Sequence, residues 1–152
     1  MHMNKISWLF DRFRFSGSKK DFIKCLEEES LDFFLENILR LMDLYLSVNR
    51  KFRLNIKDFN ARYAFKSLDG KIDASVIFKD SKMEVRDYVI KDTDVTVMFR
   101  DGKALKNFLF SDSPDIIASI LKSEISYTGN LNYLAKFAYM ANHLKYKFAL
   151  PQ

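Results

Sequence analysis

A single cysteine, Cys25, stands in the whole chain, so no internal disulfide framework can form. A lone thiol fits a reducing compartment, and on a helix it reads as a small buried hydrophobe. Histidine is almost as scarce: His2 and His143, with one cysteine, cannot assemble a Cys/His zinc site, and no metal is expected. The four glycines, Gly17, Gly70, Gly102 and Gly129, stand apart, which leaves no glycine-rich loop to cradle a phosphate. Two prolines exclude collagen-like and proline-rich linker classes. No apolar run approaches the roughly 18 residues that a membrane-spanning helix needs. The N-terminus does not follow a signal-peptide pattern, and Ala149-Leu150-Pro151-Gln152 is neither a peroxisomal nor a retention tail. The expected location is cytoplasmic.

Aromatic residues, by contrast, are plentiful: 15 Phe and 7 Tyr beside one Trp in 152 residues. An apolar fraction of 48% and a charged fraction of 30% are those of a globular protein. A chain of this length forms one domain that buries about 70% of its unfolded surface. The net charge of +5 is unevenly spread. Lys5, Arg12, Arg14, Lys19 and Lys20 face only Asp11 at the start of the chain, and residues 21–50 are acidic in balance. No Lys/Arg run occurs, so a nucleic-acid partner is not expected.

Hydrophobic periodicity divides the chain into elements. Ser18 and Asp21 read as a capping box, opening a helical region from Lys19 to about Asn49. Leu31, Phe34, Leu35, Ile38, Leu41, Met42, Tyr45 and Val48 recur in it at spacings of three and four, with a break near Glu27–Ser30. The period then falls to two. Ala61, Tyr63 and Phe65 form a first strand, Ile72 to Phe78 a second, and Met83, Val85 and Val89 a third; Val95, Val97 and Phe99 form the fourth. Leu68-Asp69-Gly70-Lys71 and Lys79-Asp80-Ser81-Lys82 are turns, and Asp92–Asp94 is read as a third turn. The expected arrangement is a four-strand antiparallel meander with one apolar face.

A short helix after Asp101-Gly102 ends near Phe110, and another starts with Ser113 as N-cap and Pro114 in the first turn. Ile125 and Tyr127 mark a fifth strand. A final helix follows Gly129-Asn130 with the stripe Leu134, Phe137, Ala138, Ala141, Leu144 and Phe148. The expected class is α+β: a five-stranded, mostly antiparallel sheet covered on one face by helices, after a long N-terminal helical region.

No catalytic constellation emerges, and the chain is read as a non-enzyme without a cofactor. His143 beside an apolar stripe is a structural side chain unless it faces a cleft next to a carboxylate. Asp92 with Asp94, and Asp112 with Asp115, sit at turns and a helix start, where solvated or dipole-complementing carboxylates are ordinary. Residues 1–17 are more suggestive. Ile6, Leu9, Phe10 and Phe13 share a helical face, flanked by Trp8, Lys5, Arg12 and Arg14. Such a segment either lies in an anionic membrane surface through Trp8, Phe10, Phe13, Arg12 and Arg14, or packs on its own domain or a second copy.

The stretch from about Ala61 to Leu144 resembles the sterol carrier protein-2 family of lipid-binding domains. The resemblance rests on the strand Tyr63-Ala64-Phe65-Lys66, on Asp94-Val95-Thr96-Val97, and on the helix with Ala104, Leu105 and Phe108. It rests further on the Pro114 helix and on Ile125-Ser126-Tyr127-Thr128-Gly129-Asn130 running into Leu134-Ala135-Lys136. Where this family usually has a glycine before its fifth strand, this chain has Ser123, and Pro114 lies about two residues further from Gly129. The long N-terminal helix is more like the bacterial members that serve quinone biosynthesis.

The resemblance implies residues 18–152 as a single lipid-binding domain. A hydrophobic tunnel would lie between sheet and helices and hold a fatty acyl, sterol-like or isoprenoid chain. Its walls would be Phe65, Val97 and Phe99 from the sheet, with Phe108, Ile117, Ile120, Leu121, Leu134, Phe137 and Ala141 from the helices. Tyr63 and Phe78 fall in the same region. The other reading is an interaction module with a filled tunnel that scaffolds lipid or quinone synthesis, through a homodimer or a biosynthetic enzyme partner. For the interfacial segment, the expected outcome is co-sedimentation with anionic vesicles that weakens as salt rises and is lost when residues 1–15 are removed. Equal binding by the shortened chain overturns that assignment.

Overall fold

The computed structural model describes residues 31–110 and 115–147, with side chains described for 35–109 and 115–144. Helix α1 (Leu31–Val48) is followed by a short α2 (Arg50–Arg53) and a 3-10 turn (Leu54–Ile56). Strands β1 (Ala61–Ser67), β2 (Asp73–Lys79), β3 (Lys82–Arg86) and β4 (Val95–Phe99) come next. Helices α3 (Gly102–Phe110) and α4 (Ile116–Leu121), strand β5 (Ile125–Gly129) and helix α5 (Leu131–Lys147) complete the elements of the described residues. In α1, Leu35, Ile38, Leu39, Met42 and Leu46 are buried, at the spacing that puts them on one face. Asn49 stops α1 and starts α2: its side-chain oxygen accepts the Phe52 N–H at 2.8 Å. The expected capping box at Ser18 and the break near Glu27–Ser30 lie outside the described residues.

The α+β class and the five-stranded, mostly antiparallel sheet are as the sequence implied. The strand order is β3-β2-β1-β4-β5. The meander, however, runs through three strands and not four. β4 lies parallel to β1, with Tyr63 opposite Val95 and Phe65 opposite Val97, on the far side from β3. The expected hairpin turn at Asp92–Asp94 is therefore the end of a crossover, and Val89 belongs to that crossover instead of to β3. Residues 87–94 carry the chain from one sheet edge across β2 and β1. Three strand spacings require about 14 Å, well within the roughly 26 Å that eight extended residues span.

The crossover is fastened to the outer face of the sheet. Ser75 Oγ donates to Tyr88 O at 2.7 Å and accepts the Ile90 N–H at 2.9 Å. Arg62 donates through Nε to Asp92 O and through Nη2 to Lys91 O, each at 3.0 Å. Ala64 and Ser75, paired across β1 and β2, are fully buried, because small side chains let the crossing chain lie close.

The inner face is apolar throughout. Tyr63 and Phe65 on β1, Val76 and Phe78 on β2, and Val97 and Phe99 on β4 are fully or almost fully buried. α1 packs on β3 and β2, while α3 and α5 pack on β4. The Tyr63 hydroxyl donates to Tyr133 O at 2.6 Å, tying β1 to α5. Burial pushes the Tyr63 phenol well above its ordinary pKa, so it stays a donor.

At α4 the N-cap is Asp115, whose carboxylate accepts the Ala118 N–H at 3.0 Å. The cap thus lies two residues beyond the expected Ser113, and the helix proper begins at Ile116. Its C-terminus closes with the Glu124 N–H bonded to Ser119 O and the Ser123 N–H to Ile120 O, both at 3.0 Å. That closure puts Ser123 at φ +58°, in the left-handed region where glycine is at ease.

Gly129 has φ +104°, and a Cβ there would stand 2.1 Å from Asp94 O. The same carbonyl accepts the Asn130 N–H at 3.0 Å, and the Asn130 side chain accepts the Asn132 N–H at 2.9 Å. No side chain fits at residue 129. Gly129→Ala is expected to cost about 3–5 kcal/mol in chemical denaturation, since both the φ angle and the backbone contact must give way. Ser123→Gly is expected to stabilise by about 0.5 kcal/mol, relief of the left-handed strain outweighing the added unfolded-state entropy. A loss of stability in that variant contradicts the account of the α4 terminus.

Candidate functional site

Seven of the ten side chains assigned to the apolar wall come together. Phe65, Val97, Phe99, Phe108, Leu134, Phe137 and Ala141 belong to one core cluster, each no more than 7% exposed. The rings form a continuous chain. Phe65 and Phe137 lie 4.9 Å apart, Tyr63 and Phe137 5.6 Å, Phe65 and Phe99 6.5 Å, and Phe99 and Phe108 5.7 Å between centroids. Tyr63 meets Phe78 edge-on at 5.7 Å, which carries the chain to β2. Aromatic pairs at these separations attract beyond their area burial. The wall is therefore also the centre of the fold.

The other three, on α4, stand apart. Ile117 is 56% and Leu121 80% exposed, and Ile120 is half-buried and outside the core cluster. α4 has the sequence Ile-Ile-Ala-Ser-Ile-Leu, yet none of its six residues is buried. It is held at its ends by Asp115 and by the Ser123 closure, beside β5 and α3. Ile116 packs against the core from the start of the helix, while Ile117 and Leu121 stand in water. α3 is better anchored: Asp101 accepts the Ala104 N–H at 2.9 Å, which holds its carboxyl below the usual carboxylate range, and Ala104, Leu105, Phe108 and Leu109 are buried.

Two buried amides were not singled out from the sequence. Asn37 Nδ2 on α1 and Asn142 Oδ1 on α5 are buried without a hydrogen-bond partner. Asn142 follows Ala141 directly, at the edge of the apolar stripe, and a polar residue beside such a stripe is the signal that could have marked it. An unpaired buried polar atom costs about 1–3 kcal/mol, so Asn37 Nδ2 offers a hydrogen bond to an acceptor that reaches it and Asn142 Oδ1 to a donor.

His143 does not face a carboxylate in the contacts that surround it. Its ring stacks on Phe52 at 5.1 Å, with Tyr45 at 6.5 Å and Tyr139 at 6.4 Å. Asp94 is engaged with backbone: its carboxylate accepts the Arg62 N–H at 2.8 Å. Asp115 caps α4. Among the described residues no group of three His, Cys, Asp or Glu could hold a metal ion, and no helix is long and apolar enough to cross a membrane. Trp8, Phe10, Phe13, Arg12 and Arg14, with Cys25, Asp112, Ser113 and Pro114, lie outside the described residues.

The sequence matches no family model and no curated protein. Solved structures do match in shape. The ubiquinone synthesis protein UbiJ-SCP2 aligns with a TM-score of 0.59 at 14% identity, over 76% of this chain and 92% of its own. The sterol carrier protein domain 2 of Helicoverpa armigera aligns at 0.52 and 14% identity, over 77% of this chain and 91% of its own. The inverting sec-alkylsulfatase Pisa1 from Pseudomonas sp. aligns at 0.51 and 16% identity, over 58% of this chain but only 14% of its own, so the fold recurs there as one part of a larger enzyme. The shared order of helices and strands, set on a β3-β2-β1-β4-β5 sheet, is the sterol carrier protein-2 fold.

Proposed function

We propose that this protein is a non-enzymatic carrier that binds an apolar chain between α4 and the aromatic wall of the sheet. The observation that carries the reading is α4: an almost wholly apolar helix, none of whose residues is buried, whose Ile116 packs against the core cluster that holds the aromatic wall. A ligand lying under Ile117, Ile120 and Leu121 would cover what the protein alone leaves in water. Ten methylenes buried there would contribute about 8 kcal/mol before the ligand's ordering cost is subtracted. Asn142 Oδ1, an acceptor without a partner, offers a polar anchor for a hydroxyl at one end of such a chain. Fatty acyl and isoprenoid chains both fit this chemistry, and the likeness to a ubiquinone synthesis protein supports an isoprenoid quinone precursor. Association with a membrane surface or a biosynthetic enzyme would deliver so insoluble a ligand.

A second reading, a scaffold with a filled interior, is favoured by the ring-to-ring contacts that already occupy the wall. Extraction of the purified protein followed by mass spectrometry, with native mass spectrometry of the intact chain, decides between them. The carrier reading expects a co-purifying apolar lipid and displacement of a fluorescent fatty acid. No bound lipid and no uptake would leave only the scaffold.

The two kinds of wall residue should respond differently to substitution. Leu121→Glu changes an exposed side chain, so it is expected to weaken lipid uptake about tenfold with little change in thermal stability. Phe65→Ala is expected to destabilise by about 3–5 kcal/mol whether or not lipid is present. Unaltered uptake by Leu121→Glu would place the ligand elsewhere.

A further inference from the structure

Away from α4, a cavity of about 490 Å³ opens between the second half of α1, α2 and the turn joining β2 to β3. That is within the roughly 300–1,000 Å³ of small-molecule sites. Leu46 and Met83, both buried in the core, give it an apolar floor. Four charged side chains line it as well: Asp43, Asp80, Arg53 and Lys82. Among the described residues no ion pair joins any of the four, although both signs of charge line the cavity.

They are kept apart by the elements that carry them. Arg53 is tethered through Nη1 to Ser47 O at 3.2 Å, a contact that uses one of its five donors. Asp80 and Lys82 belong to a tight hairpin turn in which Asp80 and Ser81 both have positive φ, +53° and +58°, a conformation with little freedom to swing toward α1. Asp43 is fixed on α1 and half-buried. Its withdrawal from water raises the carboxyl above its ordinary pKa, against the opposing pull of Arg40, and no donor hydrogen-bonds to it. A half-buried carboxylate without a donor gains from a cation brought to it, and a tethered guanidinium with open N–H groups gains from an anion. The pocket's two acidic and two basic groups sum to no net charge.

We propose that this cavity binds a small zwitterion, with its ammonium group at Asp43 and its phosphate or carboxylate group at Arg53 and Lys82. Phosphoethanolamine has this chemistry, either as a free molecule or as the head group of a lipid. A simple anion would meet Asp43 and Asp80, and a simple cation would meet Arg53 and Lys82, so a ligand that carries both charges is favoured. The site shares no residue with the apolar wall, and its test does not depend on lipid being held there.

The test is a titration of the full chain with O-phosphoethanolamine, followed by backbone amide shifts in NMR. A saturable response centred on residues 43–53 and 80–83 is expected, with ethanolamine and inorganic phosphate each binding at least about tenfold more weakly. Asp43→Asn and Lys82→Ser remove charges that pair with nothing, so both variants are expected to fold and each to weaken binding about tenfold. Flotation with phosphatidylethanolamine vesicles, lost in both variants, would assign the zwitterion to a lipid head group. Binding of the soluble molecule without flotation would assign it to a free metabolite. The proposal is overturned by the lack of a saturable response up to roughly 10 mM, by unchanged binding in both folded variants, or by phosphate alone binding as tightly.

Discussion

One carbonyl organises the C-terminal half of the fold. Asp94 O lies against Gly129, where a Cβ would stand 2.1 Å away, and accepts the Asn130 N–H at 3.0 Å. The same residue reaches the other way: its N–H donates to Arg62 O and its carboxylate accepts the Arg62 N–H, both at 2.8 Å. Asp94 thus ends the crossover, registers β4 against β1, seats the end of β5 and starts α5. α5 then brings Phe137 onto Tyr63 and Phe65, and the Tyr63 hydroxyl closes the loop on Tyr133. Gly129 is needed because backbone must touch backbone there, not because a turn has to be flexible.

That constraint explains why the run from Ile125 to Asn130 was the most legible part of the sequence. A glycine under steric demand and an asparagine capping a helix leave residue-level traces, and so do alternating strands. Tyr63, Phe65, Val97 and Phe99 can be placed on one inner face of the sheet from their period of two, and Phe137 on the apolar stripe of α5 from its helical spacing. The parallel pairing of β1 with β4 left a fainter trace. Strand alternation says which face a side chain occupies, not which strand lies alongside. Two signals did bear on it: eight residues from Asp87 to Asp94 are long for a hairpin, and the small pair Ala64 and Ser75 sits where a crossing chain must lie close. The N-cap of α4 was misplaced for a related reason. Ser113, Asp115 and Pro114 all suit a helix start, and local chemistry does not rank them.

The candidate site was only half legible because apolar pattern does not separate a core wall from a ligand wall. Phe65 and Leu121 are both large, apolar and on the expected faces. One is fully buried among rings; the other stands in water. The difference arises from how α4 sits on its neighbours, which is a property of the assembled fold. Asn37 and Asn142 are the converse case: polar residues on helices that carry an apolar stripe, whose unpaired atoms become evident only once neighbours are in place.

Stability and the proposed binding accordingly draw on different residues. The ring chain from Phe78 through Tyr63 and Phe65 to Phe108 holds sheet to helices, and displacing any member gives up packing that the fold needs. α4 contributes no buried side chain and ends on Ser123, a residue with a Cβ in a left-handed conformation. A serine there leaves the helix terminus about 1 kcal/mol less settled than glycine would. Weak packing and a strained end lower the cost of shifting α4, whereas the ring cluster cannot shift without giving up packing that the fold needs. The proposed binding of an apolar chain would use that division: a fixed surface to bury the chain, and one lightly held helix to let it in.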